Sequence, residues 1–92
     1  MAKLYLPTIM RRNAGNQATL LVPGQTVASV LGKLVSDFPG VAAQLLDKDG
    51  HVYSHINVFV NGDDIRNLSG EETALGDRDE VYLIPAMAGG RR

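Results

Sequence analysis

Apolar and polar positions alternate with a period of two in several stretches of this chain and follow a helical spacing in one. The clearest alternation is Ile56-Asn57-Val58-Phe59-Val60, where Ile56, Val58 and Val60 share one face and Asn57 and Phe59 the other, as a half-buried strand requires. On that parity Phe59 is expected to be an exposed aromatic. Lys3 to Ile9 predicts a first strand, with Leu4 and Leu6 inward, Lys3 and Tyr5 outward, and Pro7 marking an edge or a bulge near its end. Gln17 to Val22 predicts a second, with Leu20 and Val22 inward, and the turn-rich Arg11 to Asn16 between them suggests an opening β-hairpin. Val27, Val30, Leu31, Leu34, Val35 and Phe38 form a helical stripe that starts at Gln25 or Thr26 and is stopped by Pro39-Gly40. Val41 to Leu46 reads as one further helical turn, with Leu45 and Leu46 reaching the core. Asn61-Gly62 signals a tight turn into a short returning strand at Asp63 to Arg66 that anchors Ile65. After an irregular connection over Leu68 to Leu75, Glu80 to Ile84 predicts the last strand, with Val81 and Leu83 inward and Tyr82 and Ile84 outward.

The predicted order is strand, strand, helix, strand, short strand, strand. One main helix covers one face of a mixed sheet of four to five strands, which is an α+β, β-grasp layout. Placing the last strand in the middle of the sheet, beside the first, lets Val81 and Leu83 clamp it while the residues beyond project free. The expected organisation is one domain over residues 1–86 and a flexible tail over residues 87–92.

Composition narrows what such a domain can do. The 92 residues, 45% apolar, suffice for one small core. Without cysteine there is no disulfide framework, no thiolate zinc site and no thiol nucleophile. No run near the N-terminus looks like an export signal and no stretch is long enough to cross a membrane, so a soluble, cytoplasmic protein is expected. The formal charge of −1 is uneven: Asp47 to Gly90 hold nine acidic and three basic residues. That acidity opposes nucleic-acid binding and suits a basic partner surface. His51 and His55 are four apart, and Asp47-x-Asp49-Gly50 resembles the start of a calcium loop. Gly50 and Val52 argue against a helix there, however, and the closing glutamate is missing, so no metal site is expected.

The chain's chemistry concentrates at its last stretch, Ile84-Pro85-Ala86-Met87-Ala88-Gly89-Gly90-Arg91-Arg92. Pro85 removes a ladder donor, from Ala86 onward nothing large is available to bury, and a Gly-Gly pair can enter a channel too narrow for any side chain. An ordinary frayed terminus would look similar.

Taken with the element order, three segments resemble the ubiquitin-like sulfur carriers of the ThiS, MoaD and CysO family. They are Val58-Phe59-Val60-Asn61-Gly62-Asp63-Asp64-Ile65-Arg66, Leu75-Gly76-Asp77-Arg78-Asp79-Glu80-Val81 and Ile84 to Gly90. Leu6-Pro7-Thr8-Ile9-Met10-Arg11 and the Ala-Met-Ala-Gly-Gly ending look most like the CysO branch. The resemblance implies that the carboxylate of Gly90 is adenylated by an ATP-using, E1-like enzyme and converted to a thiocarboxylate, with Gly89 easing passage into that enzyme. It implies a sulfur donor and a sulfur-accepting biosynthetic enzyme as further partners, no enzyme activity and no cofactor in the chain itself, and ATP used only by the activating partner. Strand parity assigns docking to Phe59, Tyr82 and Ile84, an apolar patch in acidic surroundings, continued by Pro85, Ala86, Met87 and Ala88. Carriers of this family end at Gly-Gly, whereas Arg91 and Arg92 follow here, so the resemblance implies a precursor trimmed by a protease, of the zinc-dependent type that processes ubiquitin-like tails. Two other readings stay open: a modifier conjugated through Gly90 to lysines, and an interaction domain with an inert tail.

Overall fold

A computed structural model describes residues 1–86 of the chain. The expected tail over residues 87–92 lies outside the described residues. Five strands, β1 (Ala2–Tyr5), β2 (Thr19–Val22), β3 (Ile56–Val60), β4 (Asp63–Asp64) and β5 (Glu80–Pro85), form one sheet in the order β2-β1-β5-β3-β4. The last strand is central, parallel to β1 and antiparallel to β3. Helices α1 (Thr8–Arg11), α2 (Val27–Asp37) and α3 (Pro39–Leu45) complete the elements, together with short 3-10 turns. This is the β-grasp arrangement, with α2 and α3 covering one face of the sheet.

The core follows from the alternation. Leu4 on β1, Val22 on β2, Ile56, Val58 and Val60 on β3, and Val81 and Leu83 on β5 all point to the helical side and are buried. There they meet Val27, Val30, Leu31 and Leu34 from α2 and Val41 and Leu45 from α3. Helix α2 starts at Thr26, whose Oγ1 accepts the Ser29 N–H at 3.1 Å while the Ser29 hydroxyl oxygen accepts the Thr26 N–H at 3.0 Å. This reciprocal pair satisfies two donors that the first turn leaves unpaired. The Asn61-Gly62 turn forms as expected: φ is +52° at Asn61 and +94° at Gly62, the positive pair that a two-residue type I′ hairpin needs. Val60 pairs with Asp63 across it, and Ile65 is buried just beyond β4.

Two expectations are corrected. The strand expected over Lys3 to Ile9 ends at Tyr5, and Thr8–Arg11 is helical. In the parallel ladder Tyr5 donates to and accepts from β5 across its Tyr82 partner, so the next donor would be the N–H of residue 7. Pro7 has none, and it is instead the N-cap of α1, which delivers Met10 to a fully buried position. The opening pair β1–β2 is antiparallel, but its connection is helical, fastened to α3 where the Gln44 side-chain amide donates to the Ile9 carbonyl at 2.7 Å. Second, the stop of α2 before Pro39-Gly40 holds, but the helical turn expected over Val41 to Leu46 is a longer helix over Pro39–Leu45. Proline, whose missing N–H costs nothing in a first turn, begins α3 directly after Phe38.

Candidate functional site

The sheet face opposite the helices carries Lys3 and Tyr5 from β1, Glu80, Tyr82 and Ile84 from β5, and Asn57 and Phe59 from β3. Registry sets them in rows: Tyr5 opposes Tyr82, Tyr82 opposes Phe59, and Ile84 opposes Asn57. The two tyrosine rings stack with centroids 4.1 Å apart and planes 5° apart. Their hydroxyls converge on one carboxylate: Tyr5 donates to Glu80 Oε2 at 2.9 Å and Tyr82 to Oε1 at 3.4 Å. The bond to Glu80, then desolvation, raises the Tyr5 pKa. The Tyr82 phenol is raised by its interaction with Tyr5, then by desolvation and the Glu80 charge. Lys3 reaches over the Tyr5 ring, with its ammonium 5.2 Å from the centroid.

At the β4 side the charges cancel locally. Arg66 donates to both oxygens of Asp64, at 3.1 and 2.9 Å, and reaches the Asn57 side-chain oxygen. Its bonds lower the Asp64 pKa. Where β5 begins, the Gly76 N–H and the Asn61 amide hold Asp79 below the ordinary aspartate range. These contacts fasten the Asn61-Gly62 turn to the strand that leads to the tail, since the Asn61 side-chain oxygen also accepts the Glu80 N–H at 3.0 Å.

The expected site residues fall as follows. Tyr82 and Ile84 lie on the open face, and Ile84 is 46% exposed. Phe59 shares that face but is half-buried, not an exposed aromatic, because β3 has neighbours on both sides and Tyr82 stands opposite it. Pro85 stays in the sheet opposite Ile56, and Ala86 still donates its N–H to the His55 carbonyl at 2.6 Å. Met87, Ala88, Gly89, Gly90, Arg91 and Arg92 lie outside the described residues. Where Pro7 turns β1 away from β5, an open groove of about 440 Å³ runs beside Ile84 and Pro85, floored by Leu83 and bounded by Tyr5 and Arg11. Tyr5 and Glu80 were not singled out from the sequence, although the parity that selected Tyr82 also puts both on this face.

The histidines do not converge. His51 Nδ1 lies 3.8 Å from a Glu71 oxygen, while His55 stacks on Tyr53. Asp47 spends one oxygen accepting the Asp49 and His51 N–H groups, closing a local turn. Among the described residues no three potential metal ligands cluster, and no helix is long and apolar enough to cross a membrane.

Comparison with known proteins adds the family. A model of the ThiS family matches residues 4–90. The chain belongs to the ThiS family. As a member of it, the chain is 34% identical over 87 residues to the sulfur carrier protein CysO of Mycobacterium tuberculosis, covering 92% of this chain and 94% of that protein. It is 43% identical over 65 residues to small archaeal modifier protein 3 of Haloferax volcanii, covering 71% of this chain and 70% of the other. Among solved structures, the CysO chain of the Amycolatopsis orientalis BexX/CysO complex superposes with a TM-score of 0.88 at 31% identity, over 98% of this chain and all of that one. The ubiquitin-like fold is thus shared by ThiS-family relatives named as carriers and as modifiers.

Proposed function

We propose that this chain is a sulfur carrier, a co-substrate of other enzymes, which works through the carboxylate of Gly90 after Arg91 and Arg92 are removed. The observation that carries this reading is the family match, which runs through Gly90 and leaves the two arginines beyond it. A partner of the E1 type supplies the activation: a Gly90 carboxylate oxygen attacks the α-phosphorus of ATP, pyrophosphate leaves, and an acyl adenylate forms. A sulfur donor at the oxidation level of sulfide then attacks the activated carbonyl carbon, AMP departs, and the product is a thiocarboxylate. The chain needs no cofactor of its own, because ATP is bound and consumed by that partner.

The fold suits this task by fixing where the tail begins. Strand β5 is held on both sides until Tyr82 and on the β3 side through Ala86. From Ala86, the four residues to Gly90 can span at most about 14 Å. Docking by Phe59, Tyr82, Ile84 and Pro85 against the activating enzyme sets that span against the depth of its nucleotide site, with Ala86, Met87, Ala88 and Gly89 threading the entrance. A protease, zinc-dependent in our reading, supplies the free Gly90. The sulfur goes to a biosynthetic enzyme making cysteine, thiamine, molybdopterin or a specialised thio-metabolite.

Comparing ATP–pyrophosphate exchange for chains ending at Gly90 and at Arg92, with the adenylating enzyme enriched from native cells and the longer chain shown by mass to keep Arg91 and Arg92 through the assay, tests the reading. Exchange with the shorter chain alone is expected; equal exchange with both would overturn the trimming step, and none with either would overturn activation.

A second reading is favoured by the likeness to the archaeal modifier protein: the same activated Gly90 passed to a lysine amine. Recovery of branched Gly90–lysine peptides from native cells would support it, and their absence beside a thiocarboxylate would favour the carrier.

A further inference from the structure

On the open face, Glu80 differs from the other charged groups. Asp64 is neutralised by Arg66, and Lys3 is turned over the Tyr5 ring. Glu80 has no ion pair among the described residues, although Lys3 is its register partner on β1. Its carboxylate is half-buried and immobilised, one oxygen held by the Tyr5 hydroxyl and the other by the Tyr82 hydroxyl. Two neutral phenols orient a carboxylate without cancelling its charge. Each oxygen keeps a free lone pair, and together these match the two parallel N–H donors of a guanidinium. An ammonium, which has no such parallel pair of donors, would match the two oxygens less well.

We propose that Glu80 is the specificity-determining charge of the docking face, and that the partner docking there presents an arginine to it. The proposal rests on the carrier reading and names the chemistry of its activating partner. Charge complementarity supports it: loss of Arg91 and Arg92 takes the formal charge from −1 to −3, so the trimmed chain favours a basic surface.

The test is E80Q in the chain ending at Gly90, with the adenylating enzyme enriched from native cells by its exchange activity on the wild-type trimmed chain. Glutamine keeps an acceptor and a donor for the two phenols, so thermal unfolding is expected to match the wild type. The expected result is a KM for the carrier raised about tenfold, an unchanged kcat, and a shallower rise of KM with added salt. A KM within twofold of wild type, or an unaltered salt dependence, overturns the arginine pairing while leaving the carrier reading standing. If the wild-type trimmed chain supports no exchange in any fraction, the carrier reading falls and this inference falls with it. Should E80Q prove destabilised, E80K gives the same readout with opposite charge: repulsion raises KM further at low salt, and an unchanged KM overturns the proposal.

Discussion

Ala86 donates its backbone N–H to the carbonyl of His55 at 2.6 Å, one pair beyond the Ile56–Pro85 register. Proline at position 85 therefore does not release the chain from the sheet. It costs no bond to β3, because the ladder bonds on that side belong to residues 80, 82, 84 and 86. The chain is thus held to the sheet through Ala86, the last described residue, and in the carrier reading the length of tail beyond it becomes a functional dimension. Deleting Ala88 shortens the span to Gly90 by about 3.5 Å and should lower kcat for pyrophosphate exchange about 100-fold, with thermal unfolding unchanged. Activity near the wild-type level would show that the partner does not measure the tail from this point.

Gly24, between β2 and the α2 cap, has φ +153°, and a Cβ there would meet Val30 Cγ2 at 2.8 Å and the Val30 nitrogen at 3.0 Å. The backbone contact cannot be relieved by a rotamer change. Gly24→Ala should cost about 1–3 kcal/mol in chemical denaturation, by shifting the start of α2 off the sheet.

Leu34 is fully buried where α2 lies on the sheet. Leu34→Ala is expected to cost about 2–5 kcal/mol, and Thr26→Ala, which removes the N-cap acceptor, about 1 kcal/mol. The ordering of the two, read from denaturation midpoints at constant slope, separates core packing from helix initiation.

The strands and the main helix were legible because one-sided burial imposes its period on the sequence: Ile56, Val58 and Val60 are all inward, and Thr26 caps α2. What escaped was non-local. Pro7 ends β1 because of what it fails to donate to a parallel partner some 75 positions away, which no local pattern records. Met10, fully buried in a turn-rich segment, gives no periodic signal. Parity put Phe59 and Tyr82 on the open face correctly but said nothing of how deeply neighbouring strands and rings bury them. The pairing of Tyr5, Tyr82 and Glu80 required the β1–β5 register. The tail was read from its composition and from resemblance, and residues 87–92 lie outside the described ones.

Asp64 and Asp79 are held below the ordinary aspartate pKa of 3.8 in the folded chain, by Arg66 and by the Gly76 N–H with the Asn61 amide respectively. Their contribution is therefore complete above that value and is lost as pH falls through the lower folded pKa values. Stability should drop on acidification below about pH 4, and Asp79→Asn should flatten that limb of the pH–stability curve.

The tyrosines act at the other extreme. Tyr5 and Tyr82 have pKa values raised above 10.0, so the stability they confer is present below that pH and lost as pH rises through the folded values. Tyr5→Phe should reduce the alkaline loss and let Tyr82 ionise at lower pH, followed by phenolate absorbance.

As a carrier, the chain would hold its sulfur on Gly90. Intact-mass and C-terminal peptide analysis of the protein from its native cells tests it most directly. The expected species ends at Gly90 and is about 16 Da heavier than the free acid, oxygen having been exchanged for sulfur through the acyl adenylate. A functional species that still carries Arg91 and Arg92, or one ending at Gly90 with no thiocarboxylate under sulfur-demanding growth, would contradict it.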